Sequence, residues 1–194
     1  PTVTAAAFLQ KHGRAFGAVS ARSAFEPAAT KLENGRGSVC LDQAYSGVPV
    51  FGARVYVQTD TTGGVLSTLS DIMRETSLLD SNAVSISPTV NLERAQAQAL
   101  DLMRSTYGGT GFDVLDGQLF VFSPPVVGDS GDPCLVWGIV AASQTNRLAK
   151  EVILVDAHTL DIRLHHAVVP QARERQIYDA GNTYSVPGLL VRSE

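Results

Sequence analysis

The sequence predicts an α+β fold built from two small modules, each a helix packed on an antiparallel sheet. The chain has 194 residues, of which 44% are hydrophobic and 18% charged, so it can bury one large core or two small ones. A helical pattern of apolar residues occurs twice, near the N-terminus and again in the middle of the chain. Each helical pattern is followed by segments in which apolar and polar residues alternate, which is typical of half-buried strands.

The first module covers residues 1–79 and begins with a helix over Ala5–Phe16. Thr2 or Thr4 can cap this helix, and the glycine at position 17 ends it. The helix is expected to pack one apolar side against the strands that follow.

Residues Ala18–Gly37 are expected to form a loose connection, because Pro27 and Asn34-Gly35 are turn signals. Pro49 lacks a backbone donor and therefore marks a strand start, an edge or a bulge. The strands predicted after this connection are Val39–Tyr45, Ala53–Gln58 and Val65–Leu69.

A polar, turn-rich stretch at 80–88 is expected to link the first module to a second module over 89–168. Asn91 caps a predicted helix over Leu92–Tyr107, and Gly108 ends it. The strands predicted to follow are Gln118–Phe122, Leu135–Ala142, Lys150–Asp156 and Leu160–Val168. Residues 169–194 form a C-terminal segment beyond the second module.

Composition argues against two classes of partner. The net charge is −4 and the isoelectric point is near 5.5, so no basic surface for nucleic acid is expected. No apolar run reaches the roughly 18–20 residues that span a bilayer, so no membrane contact is expected. Residues 1–17 are amphipathic and do not resemble a signal peptide, so an exported protein would already have lost its signal.

The two cysteines, Cys40 and Cys134, lie far apart in sequence and near the starts of predicted strands. Neither belongs to a C-x-x-C pair or lies near a histidine, so they are a poor zinc motif. A disulfide between them could add roughly 4–5 kcal/mol in the chain-entropy model. Two ordinary buried thiols are the alternative, and the sequence leaves both open.

One segment suggests nucleophilic chemistry. Gly128-Asp-Ser-Gly-Asp-Pro133 is similar to the G-D-S-G-G-P motif of trypsin-like serine proteases, which would make Ser130 a nucleophile. Asp132 replaces a glycine there and would place a negative charge beside the oxyanion site. Of the histidines, only His12 precedes Ser130, on a predicted helix. A serine hydrolase is therefore a remote alternative, and turn-rich loops of this composition are common.

No other motif predicts a reactive centre. The sequence has no H-E-x-x-H helix, and His165 and His166 are adjacent on a predicted strand, so their side chains face opposite sides of the sheet. We therefore expect no catalytic residue, no metal ligand and no cofactor in this chain, which would not itself be an enzyme.

The region around Gly47-Val-Pro-Val-Phe-Gly52 resembles a known module. An aromatic-bearing strand, this hexapeptide, an alternating strand, a glycine turn and a further strand occur in the same order in the FTP module, the propeptide domain of fungalysins and thermolysins. The matching residues are Gln43, Tyr45, Gly47, Val48, Pro49, Val50, Phe51, Gly52, Val55, Val57, Asp60, Gly63 and Val65.

The second half resembles the PepSY module, whose helix is followed by antiparallel strands and a closing hairpin. This family usually has glycine where this chain has Leu160, so the resemblance predicts the fold of the hairpin but not its exact turn type. The matching segments are Asn91-Leu-Glu-Arg-Ala95, Leu135-Val-Trp137 and Val155-Asp156-Ala157, with Thr159. The two resemblances together imply two small cystatin-like modules.

FTP followed by PepSY is the order found in propeptides of thermolysin-like zinc metallopeptidases. The resemblance implies the secreted pro-region of a zymogen, which acts as intramolecular chaperone and inhibitor of the catalytic domain that follows it. That absent domain, its expected partner, would hold the zinc, with calcium as a further candidate. The resemblance also implies an inhibitory and processing segment, in which the contact residues would be Val169, Pro170, Arg173, Arg175 and Tyr178.

A free-standing extracytoplasmic module that binds proteins or inhibits proteases is the alternative to a pro-region. It predicts that the reading frame ends near Glu194, whereas a pro-region predicts that the frame continues into an H-E-x-x-H helix.

Overall fold

The structure, a computed structural model, describes residues 1–17, 20–146, 148–168, 176–179 and 189–193, the last two ranges by their backbone alone. Its helices are α1 Thr2–His12, α2 Ser77–Asp80 and α3 Leu92–Tyr107, with 3₁₀ turns at Gly13–Phe16 and Pro124–Val127. Its strands are β1 Ser23–Glu33, β2 Arg36–Tyr45, β3 Val48–Thr59, β4 Val65–Asp71, β5 Phe112–Phe122, β6 Cys134–Ser143, β7 Lys150–Asp156, β8 Ile162–Ala167, β9 Gln176–Asp179 and β10 Leu189–Ser193.

Eight of these strands form one mixed sheet in the order β1-β2-β3-β5-β6-β7-β8, with β4 paired to β3 beside this path. Strands β9 and β10 form a separate antiparallel pair. The α+β class is therefore confirmed, but the prediction of two modules with separate sheets is not. We call β1–β4 the N-terminal subsheet and β5–β8 the C-terminal subsheet. The proposed boundaries at 79, 88 and 168 stay predictions.

Strand β3 belongs to both subsheets. Near its start, Val50 pairs in parallel with Val121 of β5, whereas its later part, from Arg54 onwards, pairs antiparallel with β4. Gly52 lies between these two regions at φ +72°, a conformation that glycine adopts at little cost. A glycine at this point lets one strand change partners along the same edge.

A hydrophobic core shared by both subsheets lies under the point where β3 changes partners, and we call this core the junction. Side chains from both subsheets and from the connection between them meet there, so burial of apolar surface stabilises the two halves together. The buried residues of the junction are Tyr45, Val50, Ala53, Met73, Leu79, Val121, Leu135 and Ala157.

Both long helices pack on the same face of the sheet. Helix α1 covers Val39 and Val55 of the N-terminal subsheet, and α3 covers Ile139 and Ile153 of the C-terminal subsheet. The directly paired Val50 and Val121 face the junction between them. Because successive side chains of a strand point to opposite faces, the residues between these face the other side of the sheet.

The start of the chain departs from the prediction in two ways. The helix begins at Thr2, and neither Thr2 nor Thr4 caps it, because Pro1 takes the cap position without a side-chain hydrogen bond. The stretch expected to be a loose connection contains the long strand β1. Most side chains of β1 are exposed, and Pro27 lies at a register shift, so the sequence lacks the alternation that marks a half-buried strand.

The middle helix follows the prediction closely. Helix α3 covers Leu92–Tyr107, and the Asn91 side chain accepts a hydrogen bond from the Arg94 amide. Gly108 follows it with positive φ. Strand β7 has the predicted bounds, and the other strands of this half differ from prediction mainly in their ends.

The stretch predicted as a linker is tied to the first half by Asp80. Its carboxylate accepts hydrogen bonds from the Ser20 and Tyr45 hydroxyls at 2.8 Å and from the Thr76 hydroxyl at 2.7 Å. These three bonds, led by that from Thr76, hold the pKa of Asp80 below its usual range. Val84 and Ile86 of the stretch pack against the junction, so part of it contributes to the core.

Two hairpin turns in the N-terminal subsheet have matching backbones and provide a test of turn chemistry. Asn34-Gly35 has φ values of 50° and 75°, and Ser46-Gly47 has 48° and 80°. Asparagine tolerates the left-handed conformation better than serine. We expect Ser46→Asn to raise the free energy of unfolding by about 0.5–1 kcal/mol, and Asn34→Ser to lower it by a similar amount. Urea unfolding checks both; a loss of stability in Ser46→Asn would contradict this reading.

Candidate functional site

The face of the sheet opposite α1 and α3 is covered by no described helix, and we call it the helix-free face. On the N-terminal subsheet it presents Cys40, Arg54, Tyr56 and Leu69, which share one side of their paired strands. On the C-terminal subsheet the half-buried Phe51, Phe120, Val152 and Leu164 lie on this side and pack against the buried Phe122, Val136 and Leu154.

An aromatic cluster lies at the centre of this face. The Phe51 ring meets the edge of the Phe120 ring at a centroid distance of 5.6 Å and an angle of 87°, and Phe122 lies 6.3 Å from Phe51. Edge-to-face contacts of this kind stabilise beyond area burial alone. Val136 and Leu154 are buried beside these rings. This part of the face is therefore preformed and apolar.

The first group of family-signature residues lies where β3 joins the C-terminal subsheet. Gly47 completes the turn that enters β3, and Pro49 pairs with Ala44 beside an irregularity in register. Val50 faces the junction, whereas Phe51 faces the helix-free side. Gly52 then provides the change of partner described above.

The second group lies on the other side of the same junction. The Trp137 indole donates to the Val90 carbonyl at 2.9 Å, just before α3 begins. The Ala157 amide donates to Leu135, and its carbonyl accepts from the amides of Thr89 and Val90. Val50, Trp137 and Ala157, signature residues of both predicted modules, thus meet at the junction.

Asp156 is the most connected side chain of the C-terminal subsheet. Its side chain is only 4% exposed, and one oxygen accepts from the amides of His158 (2.8 Å) and Thr159 (3.0 Å). The other oxygen accepts from Nε and Nη2 of Arg163, at 2.9 and 2.7 Å. Burial by itself would raise the pKa of Asp156, but the bonds from the His158 amide and from Arg163 lower it below its usual range.

Sequence reasoning missed two partners in this half. Arg163 follows Asp156 across a tight turn, and opposite charges on the two strands of a short hairpin were the available signal. The buried carboxylate of Glu151 accepts from the Tyr107 hydroxyl at 2.7 Å and contacts His165 Nδ1 at 2.8 Å. The bond to Glu151 and burial together raise the pKa of Tyr107. Glu151 thus joins the end of α3 to β8.

The loop that resembles a protease motif lies at the edge of a groove of about 490 Å³. The Ser130 amide donates to Asp129 Oδ1 at 2.7 Å, and Asp132 lies on the same groove. None of the described histidines lines this groove. The residues that line it are Val84, Phe122, Pro124, Asp129, Ser130, Gly131, Asp132, Pro133, Cys134 and Arg163.

The histidines have other neighbours. His158 is within hydrogen-bond distance of the Thr89 hydroxyl (3.2 Å) and the Ser85 carbonyl (3.1 Å). His165 contacts Glu151, and the His12 ring lies 5.0 Å from the ring of Phe8. Within the described part of the chain, the structure therefore brings no histidine to Ser130.

Cys40 and Cys134 are both free, so the suggested disulfide is not formed in this structure. They lie on different subsheets, on β2 and at the start of β6. Burial raises the pKa of the Cys134 thiol to about 11, which leaves very little of the reactive thiolate near neutral pH.

Thiol titration without reductant tests this arrangement. After unfolding in denaturant, we expect both cysteines to react with a disulfide reagent at once. In the folded state at pH 8, Cys134 should react on the order of a hundredfold more slowly, because its thiolate fraction is small. If neither cysteine reacts after unfolding, the two form a disulfide and the free-thiol arrangement is wrong.

Most of the expected inhibitory segment lies outside the described residues. This applies to Val169, Pro170, Arg173 and Arg175. The backbone of Tyr178 lies in β9 and pairs with Leu190 of β10. The inhibitory role of these residues stays a prediction.

The described part of the chain contains neither a metal cluster nor a membrane-spanning helix. No group of three or more His, Cys, Asp or Glu side chains lies there in a position to hold a metal ion. None of the helices within it is long and apolar enough to cross a membrane.

Comparison with solved structures shows a distant likeness only. No family model matches this chain, and no curated protein matches it. Among solved structures, the C-terminal domain of Bacillus megaterium YpeB is similar at 15% sequence identity with a TM-score of 0.41. The match covers 86% of this chain and 62% of that domain, so this chain spans less than two thirds of the domain's length.

Proposed function

We propose that this chain is the pro-region of a secreted thermolysin-like metallopeptidase and assists the folding of the catalytic domain while inhibiting it. The proposal starts from the FTP-like and PepSY-like sequence patterns. The observation that carries it further is the helix-free face, where the half-buried Phe51, Phe120, Val152 and Leu164 lie over a buried apolar layer. Such a surface can template a partner without any reactive side chain.

The surface and the following segment would have separate tasks. The helix-free face would bind folding intermediates of the catalytic domain, which lowers the barrier to its native state by burying apolar surface. The segment after β8, from residue 169 onwards, would lie across the active-site cleft and exclude substrate. Cleavage of that segment would end inhibition, and the pro-region itself would perform no chemistry.

Two experiments test the proposal in sequence. The reading frame beyond Glu194 is expected to encode an H-E-x-x-H helix; a stop codon there would favour the free-standing binding module instead. The encoded catalytic domain is then refolded with and without this 194-residue chain supplied separately. We expect a higher yield of folded protease with the chain and lower activity while it remains bound. Equal yield and undiminished activity would refute both tasks.

A pair of surface variants tests the role of the helix-free face. Val152 lies half-buried on that face, on β7. We expect Val152→Lys to reduce refolding yield and inhibition by more than its own loss of stability, measured by urea unfolding, accounts for, because it places a charge in the proposed contact. Leu115→Lys is the matched control, since Leu115 is an exposed leucine outside the aromatic cluster. Equal effects of the two variants would argue against this face as the contact.

A further inference from the structure

The free edges of the sheet differ in how well they are protected. Strand β1 ends the N-terminal side, and its exposed edge could pair with another chain. It is blocked in several ways: Pro27 has no amide to donate, the register shifts between Pro27 and Ala29, and Lys31 and Glu33 form an exposed ion pair at 2.7 Å. Devices of this kind prevent edge-to-edge association.

Strand β4 is the less protected edge. Within the described residues it pairs with β3 alone, and it contains no proline and a single charged residue, Asp71, at its end. Its ladder with β3 is irregular only near Leu66 and runs in unbroken register over Ser67–Asp71. A straight, nearly uncharged edge of this kind is suited to pairing with another strand.

The side chains along this edge are apolar and exposed on the helix-free face. Leu69 is 67% exposed and lies directly opposite Tyr56 of β3, which is 40% exposed. Leu66, near the start of the same strand, is 55% exposed. The apolar strip therefore reaches the free edge, where a further strand would cover it.

The other side of β4 holds a buried hydroxyl without a partner. Thr68 Oγ1 is inaccessible to solvent and has no hydrogen-bond partner in the described part of the structure. A buried unsatisfied polar atom costs free energy, so a neighbouring donor or acceptor at this position would be favoured.

We propose that the chain forms a two-fold symmetric dimer by antiparallel pairing of β4 with β4 of a second copy, centred on Leu69. In this register Leu69 lies opposite its own symmetry mate, and the two leucines with both Tyr56 rings form one apolar patch. Thr68 lies opposite Ser70, which brings a second hydroxyl to the unsatisfied Oγ1. Asp71 lies opposite Ser67, so no like charges meet. The strand is thus complementary to itself.

This dimer is independent of the pro-region proposal, because it uses an edge of the N-terminal subsheet and leaves Val152 of the C-terminal subsheet accessible. The two copies would form a continuous sheet across the two-fold axis, as in other isologous interfaces built from sheet edges.

Molar mass measured across a dilution series by sedimentation or light scattering tests the dimer. The full 194-residue chain is expected to show twice the monomer mass at high concentration and to dissociate on dilution. Leu69→Lys and Leu69→Glu should each weaken the dimer by about a hundredfold, because like charges then lie opposite each other. An equimolar mixture of the two variants should restore association, since opposite charges now meet.

Leu32→Lys is the matched control, because Leu32 is an equally exposed leucine on the blocked strand β1. It should leave the dimer intact. Because Leu69 is exposed, its variants should keep the unfolding midpoint of the monomer, which separates loss of pairing from loss of folding. A monomeric mass at every concentration would overturn the proposal. A dimer that Leu32→Lys weakens and Leu69→Lys does not would overturn it as well.

Discussion

Replacing Asp156 by alanine is expected to lower the free energy of unfolding by about 2–4 kcal/mol at pH 7, because it removes the buried acceptor of two backbone amides and of the partly exposed Arg163 guanidinium. The Arg163 guanidinium would lose both of its bonds, and the amides of His158 and Thr159 would lose their acceptor. Denaturant unfolding monitored by circular dichroism measures the change. Asp161→Ala is the control in the same turn, because Asp161 is exposed and accepts one side-chain bond, from Thr159; it should cost about 1 kcal/mol or less.

The pH dependence gives this prediction a second readout. The pKa of Asp156 is lower in the folded protein than in the unfolded chain, so its contribution is fully present above the unfolded pKa. That contribution is lost as the pH falls through the folded pKa. The stability gap between the wild type and Asp156→Asn should therefore be widest near neutral pH and should narrow below about pH 4. A gap that stays constant down to pH 2 would show that the carboxylate charge does not contribute.

Replacing Leu41 by alanine is expected to destabilise both halves of the sheet together, by about 2–5 kcal/mol. Leu41 is fully buried beneath α1 in the N-terminal subsheet. Trp137 is the single tryptophan and lies in the C-terminal subsheet, between the α3 core and the junction. Because the halves share β3 and the junction, the fluorescence of Trp137 should report the same lowered midpoint as circular dichroism.

The outcome of this experiment decides whether the chain unfolds as one unit. One shifted transition with an unchanged denaturant slope would indicate a single cooperative domain. If the Trp137 transition keeps the wild-type midpoint while circular dichroism shows an earlier step, the two halves are independent. Ile153→Ala in the C-terminal core is the reciprocal variant, and it should move both signals in the same way.

Local chemistry explains which parts of the fold the sequence could predict. Helix α3 was predicted to the residue because Asn91 caps it, Gly108 ends it, and Ala95, Ala99 and Met103 mark its buried face. Strand β1 could not be predicted, since its exposed side chains carry no period and Pro27 is a turn signal. Strands β3 and β5 share a single register pair, Val50 with Val121, which no local pattern encodes.

The same limit applies to the candidate site. The signature segment around Val50 and Phe51 was identified from its turn residues, but its role in joining the subsheets depends on tertiary contacts with β5. Asp156 was identified through the closing hairpin, whereas its pairing with Arg163 requires the irregular register of β7 and β8. The apolar edge of β4 was predicted only as a strand, because exposure cannot be inferred from a seven-residue segment.

The parallel pairing of Val50 with Val121 also has a consequence during synthesis. A nascent chain that has just exposed residues 1–79 can form its hairpins, but the contacts of high sequence separation must wait for β5 and β6. Until then the side chains of Tyr45, Val50 and Ala53 would remain exposed to solvent and could associate with other apolar surfaces. The N-terminal half can therefore bury its junction residues only after residue 135 has emerged from the ribosome. A nascent chain stalled before that point should bind chaperones.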